Sequence, residues 1–250
     1  MSEGFRGGTL LRLGEVDSTM SVARELPQDS GMVTVVAQSQ TRGRGRFERV
    51  WVSPPKGGLY LTVRMPWDTR PLAQAPLVSL GCALALARLC RELGIGSVSL
   101  KWPNDLILSG GKAAGILAEM IHPQGVPVLL VGVGIDVDLP GSSLEGVGQP
   151  TTTLSRQAGR TLDCECILER FLQLWSEVDR ALESDGFACL VEEFRSFSDV
   201  EGRTFRLAGT GPTRRIRVRS VQDDGSLEVE SLSSGEVITV YGGELLPDAT

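Results

Sequence analysis

Histidine is almost missing from this chain: among 250 residues His122 stands alone. A multi-histidine metal centre is therefore excluded, and a Ser-His-Asp triad would hang on one residue beside the turn-forming Pro123-Gln124-Gly125. We read His122 as a surface turn residue. Cysteine is scarce and unpatterned: the five, at 82, 90, 164, 166 and 189, are odd in number and include no Cys-x-x-Cys, so neither a disulfide framework nor a zinc site is expected. Positive charge is in deficit, with 25 Lys and Arg against 31 Asp and Glu for a net charge of -6, which argues against a nucleic-acid partner. No apolar segment opens the chain, and the longest apolar helical run, Leu77 to Ala87, is too short to span a bilayer. The expectation is a cytoplasmic protein with no membrane partner.

What is present is one concentrated exception to the acidic balance. In Thr41-Arg-Gly-Arg-Gly-Arg-Phe-Glu-Arg-Val-Trp51, four arginines (Arg42, Arg44, Arg46, Arg49) face a single acid, Glu48. Gly43 and Gly45 remove side chains, so that backbone N–H groups can approach an anion. The stretch reads either as a phosphate cradle or as a solvated basic loop. Ordering eleven residues costs on the order of 10 to 20 kcal/mol, so a cradle would be mobile when empty and ordered by its ligand.

The rest of the chain supplies a scaffold. Leu10 to Val16 reads as a strand, Asp17-Ser18-Thr19 as a cap, and Met20 to Leu26 as a helix stopped by Pro27. Strands are expected at Val33 to Gln38 and Leu59 to Met65, on either side of the arginine stretch. A buried helix follows at Leu77 to Leu93, then strands at Val98 to Lys101, Leu106 to Leu108, Lys112 to Ile121 and Val126 to Val137. Residues 138 to 150 read as a loop. Apolar residues at 167, 168, 171, 172, 174, 175, 178 and 182 trace one helix, and a second runs from Asp185 to Phe197. After Asp199 four short strands describe a small barrel. Its six arginines at 202 to 221 and seven acids at 222 to 250 are explained first by cross-strand pairing of Arg215, Arg217 and Arg219 with Glu228 and Glu230. The expected domains are residues 1–198 and 199–250.

Two generic nucleotide motifs fail. Leu106 stands where a Walker loop ending at Gly111-Lys112 needs glycine, and Gly132-Val-Gly134 is followed by Val137 rather than a third glycine. A different set fits. Ser18-Thr19, Gln40-Thr-Arg-Gly-Arg-Gly-Arg46, Trp51, Lys101-Trp-Pro-Asn-Asp105, Lys112-Ala-Ala-Gly-Ile116 and Gly132-Val-Gly-Ile-Asp136 occur in the order and spacing of the biotin protein ligases, which the chain resembles over essentially its full length.

The resemblance implies an α+β catalytic domain, with a mixed sheet backed by helices, followed by an SH3-like barrel. It implies two reactions: biotin and MgATP give biotinyl-5'-AMP and pyrophosphate, and a lysine of an apo biotin carboxyl carrier protein then takes the biotinyl group. Ser18, Thr19 and Gln40 would hydrogen-bond biotin's ureido ring, with Met20, Gly43, Gly45, Gly115, Ile116 and Gly132 around it. Arg44 and Arg46 would hold the biotin carboxylate and the phosphates, and Lys112 would be the main catalytic cation. Trp51, Arg49, Asn104 and Asp136 would meet the nucleotide, Trp51 by closing over the adenine or the adenylate. Asp105 would hold Mg²⁺ or steer the incoming lysine amine; the residues leave both open. Lys101 and Trp102 are read as largely structural.

Three positions depart from the family pattern: Met20 replaces an asparagine, Glu48 replaces a glycine, and Asp136 replaces the asparagine that reads adenine. Some relatives carry a DNA-binding domain ahead of the ligase; only seventeen residues precede Ser18 here, so none is expected. Some dimerise through the sheet, and a homodimer stays open for this chain. The competing readings are a lipoate or octanoate protein ligase or transferase, and a non-catalytic biotin sensor.

Overall fold

Alternating and continuous apolar runs dictate two sheets. The structure, a computed structural model, describes residues 3–140, 148–209 and 211–248; part of the expected loop at 138 to 150 lies outside them. The first sheet has seven strands in the order β1 (Thr9–Val16), β2 (Val33–Gln40), β3 (Gly58–Pro66), β7 (Val128–Asp136), β6 (Gly111–Ile121), β5 (Asp105–Leu108) and β4 (Val98–Lys101). Only β1 and β2 pair in parallel, with α1 (Thr19–Glu25) as the crossover, so the sheet is mixed.

One face of this sheet carries α2 (Ala75–Glu92) and α4 (Cys164–Asp185), packed against each other; the other carries α1, whose Met20 and Ala23 meet Val35 and Leu130. The α4 stripe is the one that sequence periodicity gives, from Ile167 to Leu182, and Asp163 caps it by accepting from Cys166 N at 3.0 Å. With the turn before it, Leu72 to Glu92 is 21 residues long, so the expectation of an apolar run too short for a membrane is corrected. From Val78 onward its apolar residues lie in the core, because Gly81 and its neighbours receive Val178 and Leu182 of α4, whereas Leu72 is exposed.

Two more expectations change. The helix after Asp185 begins only at α5 (Val191–Phe197), since Gly186 at φ 74 ends α4 first, and a short α3 (Leu154–Ala158) capped by Thr153 escapes periodicity. The second sheet is antiparallel, in the order β11 (Val237–Val240), β10 (Leu227–Ser231), β9 (Arg214–Val221), β8 (Thr204–Ala208), β12 (Glu244–Pro247), an SH3-like arrangement whose last strand was not expected. Its ion pairs also differ from the expected ladder: Arg219 reaches Glu230 at 3.4 Å, but Arg215 turns to Asp248 because β12 brings that carboxylate alongside. The two sheets share one apolar cluster, and Gly225 of the β9–β10 turn rests on Leu77 and Leu80 while its carbonyl accepts from Trp102 Nε1 at 3.0 Å.

Candidate active site

Glycines at the centre of the first sheet prepare a floor. Gly115 of β6 pairs with Gly134 of β7, and Leu117 with Gly132. A Cβ at Gly134 would stand 2.3 Å from Trp51 Cε2, one at Gly115 2.9 Å from Trp51 Cζ3, and one at Gly132 2.9 Å from Met20 Sδ. Side chains are absent there so that Trp51 and Met20 can lie on the backbone. Above them is a cavity of about 390 Å³, a size suited to a small-molecule ligand.

One wall of the cavity is polar and already fixed. Ser18 caps α1 by accepting from Met20 N at 3.2 Å. Gln40 Oε1 accepts from Thr19 N at 2.9 Å and Thr19 Oγ1 at 3.2 Å, while its Nε2 donates to Ser53 Oγ at 2.8 Å. Thr62 Oγ1 donates to Thr19 Oγ1 at 2.8 Å. Partners on every side hold these rotamers, which is the condition for reading a ligand's hydrogen-bonding groups.

Charged residues line the same cavity. Lys112 Nζ lies 2.8 Å from Asp105 Oδ1 and 5.4 Å from the Trp51 ring centroid. Asp105 Oδ1 has no partner in hydrogen-bond geometry, so the Lys112 contact is an ion pair without an aligned hydrogen bond. Asp136 is 3% exposed, and burial pushes its carboxyl up to about 7 against the opposing charge of Lys112. The backbone of Lys112 is clamped in turn, its N donating to Pro150 O at 2.9 Å and its O accepting from Thr152 N at 3.0 Å.

The arginine stretch forms a small hairpin. Trp51 N donates to Gly43 O at 2.9 Å and Gly45 N to Arg49 O at 2.7 Å. Protein groups close this hairpin from outside it as well. Arg46 donates to Asn104 Oδ1 and to Gly243 O, both at 2.9 Å, and Arg49 forms two bonds with Glu244 at 2.6 and 2.8 Å. Burial lowers the Arg46 guanidinium from its ordinary range, with Asp105 and Glu244 opposing. Arg44, more exposed, has Glu119 at 3.6 Å.

Of the residues that the resemblance assigns to the ligands, Gly43 alone is off the cavity wall; a Cβ there would stand 2.3 Å from Trp51 O, so it serves the hairpin's close approach, and Arg42 and Glu48 of the same stretch are off the wall too. Asn104 lines the cavity with its amide committed, Nδ2 donating to Ile116 O at 3.0 Å and Oδ1 accepting from Arg46. Sequence reasoning missed Gly134, Gln149, Thr151 and Glu244. Gly134 had a signal, its place in the Gly132 to Asp136 motif, whereas nothing around Glu244 marks it.

A sequence profile described as the biotin/lipoate A/B protein ligase family matches residues 14–138. The chain belongs to that family. This biotin/lipoate family chain is 30% identical to the biotin acetyl-CoA-carboxylase ligase of Paracoccus denitrificans over 243 residues, covering 90% of the chain and 96% of that protein. It is 29% identical to the bifunctional ligase/repressor BirA of Bacillus subtilis, covering 86% of the chain and 67% of that protein. Its fold matches the biotin protein ligase of Aquifex aeolicus in complex with biotin and ATP at a TM-score of 0.77, with 28% identity and 95% and 97% of the two chains covered. Glu244 lies beyond the family match, as do Gln149 and Thr151.

Proposed function

We propose that this protein is a biotin protein ligase: it activates biotin with ATP and transfers the biotinyl group to a lysine of an apo biotin carboxyl carrier protein. The observation that carries this reading is the convergence of Arg44, Arg46 and Lys112 on one cavity that the fixed Ser18-Thr19-Gln40 network also lines. A neutral bicyclic ring with amide-like groups suits that network, and its carboxylate tail would reach the cations.

In the first step a biotin carboxylate oxygen forms a bond to the α-phosphorus of ATP, and the bond to the bridging oxygen breaks, releasing pyrophosphate. Lys112, placed between Asp105 and the Trp51 ring, stabilises the negative charge that builds at phosphorus, and Arg44 and Arg46 bring two anions within bonding distance. In the second step the carrier's lysine amine attacks the acyl carbon, the acyl–phosphate bond breaks, and AMP leaves while the amine loses a proton. Trp51 on its glycine floor shields the mixed anhydride from water.

Mg²⁺ enters with the triphosphate. Among the described residues no three of His, Cys, Asp or Glu stand together as a metal cage, and Asp105 already faces Lys112, so the chain's own residues do not fit a resident ion. Catalysis is assigned to residues 1–198 with 199–250 as an attached barrel, which is supported by α5 ending at Phe197 and β8 opening at Thr204.

Incubation with ATP, an apo carrier domain and either labelled biotin or labelled lipoate tests the reading. Transfer of biotin supports it; transfer of lipoate alone assigns the chain to the other branch of its family.

A further inference from the structure

We propose that Met20 determines which carboxylic acid the cavity accepts: its side chain closes the cavity beside the ring-binding network and keeps longer linear acids out, an inference that rests on the biotin reading above. Three rows of the first sheet locate it. Across β3, β7 and β6, Tyr60 pairs with Gly134 and Gly115, then Thr62 with Gly132 and Leu117, then Arg64 with Leu130 and Glu119. Trp51 lies over the glycines of the first row and Met20 over the glycine of the second, where a Cβ would stand 2.9 Å from Met20 Sδ and 3.1 Å from its Cγ. Gly132 and Leu117 of the second row line the cavity, and nothing of the third row does. The cavity stops at the row that Met20 covers.

That boundary is apolar. Met20 is 3% exposed, and of the buried residues in the cluster where α1 meets the sheet it is the one that also lines the cavity; Ala23, Val35 and Leu130 continue the cluster away from it. Its chain neighbour Thr19 donates to Gln40 from both N and Oγ1, so the residue that fixes the polar network and the residue that limits length are adjacent on the first turn of α1. Alternate residues of a strand are about 6.6 Å apart. The span from Trp51 over Gly134 to Met20 over Gly132 therefore suits a compact ring rather than the extended end of a linear acid. An unbranched thioether adapts to the surface of such a ring. Truncation to alanine removes Cγ, Sδ and Cε and lengthens the cavity toward Leu130.

Pyrophosphate exchange driven by biotin, and separately by octanoate, tests the assignment. Met20→Ala should lower the ratio of kcat/KM for biotin to that for octanoate by about 10- to 200-fold, the discrimination that a methylene-sized group commands in an apolar pocket. Met20→Leu, close in volume, should keep the wild-type ratio. Gly132→Ala, whose methyl group displaces the Met20 sulfur, should weaken the use of biotin, and adding Met20→Ala to it should restore part of that loss. If Met20→Ala does not fold, Met20→Val, also shorter, carries the same measurement. A ratio that stays unchanged in the shortened variants, both acids losing equally, would overturn the role of Met20. Exchange by the wild type with octanoate or lipoate but not with biotin would instead remove the biotin reading, and that result is read without any variant.

Discussion

Lys112 meets Asp105 because β6 carries a bulge. In a regular strand, residues three apart point to opposite faces, so Lys112 and Gly115 would be on different sides of the sheet. The register between β5 and β6 shifts after Leu106: Ala114 pairs with Leu106 but Lys112, not Ala113, with Ile107. Lys112 is thereby turned to the Gly115 face, where its Nζ would be 3.2 Å from a Cβ on Gly115 and lies 2.8 Å from Asp105 Oδ1.

A cation delivered by such a device should be indispensable to the chemistry and nearly irrelevant to biotin's ring. Lys112→Ala should reduce the rate of biotin-dependent pyrophosphate exchange by about 10²- to 10³-fold, the cost of one preorganised charge donor, with ureido-ring recognition retained. Exchange at the wild-type rate would remove Lys112 from the mechanism.

The glycine floor sets a steric limit. Gly134→Ala would drive a methyl group to 2.3 Å from Trp51 Cε2, among the rigid ring atoms of a half-buried indole. We expect loss of ligand binding together with a drop in stability of about 1 to 3 kcal/mol, the usual cost of overpacking. Thermal melts with and without biotin plus ATP would measure both, and a variant whose ligand-induced shift equals the wild type's would count against Trp51 as the cavity's cover.

Trp51 Nε1 is buried without a partner, so its N–H is already desolvated at a cost of about 1 to 3 kcal/mol. Trp51→Phe removes the donor and keeps an aromatic ring. The ligand-free protein should be no less stable, and adenylate binding should weaken if that N–H finds its acceptor there; calorimetry on both variants reads the two effects separately.

Asp136 gives a pH signature. Its carboxyl is raised from 3.8 to about 7 by burial, so between those values the unfolded chain has released a proton that the folded protein keeps. Stability should therefore fall as pH rises from about 4 to about 7, by a few kcal/mol at about 1.4 per pH unit, and level off above. Asp136→Asn should abolish that slope in urea titrations across the range. Parallel curves for variant and wild type would mean that Asp136 ionises normally.

Much of this protein was determined by sequence alone. The cap at Ser18, the stripe of α4 and the continuous apolar run of β7 are local or periodic, and short-range backbone and burial preferences suffice to specify them. The family resemblance likewise named sixteen of the cavity's lining residues, because nearly all of them belong to short motifs written in adjacent positions. Only the tertiary structure decided which face Lys112 takes, since a bulge is a property of two strands, and that Asp105 rather than solvent receives it. Only the tertiary structure brought Glu244 across 195 residues to Arg49, because a charge pair between distant segments leaves no periodic trace in either.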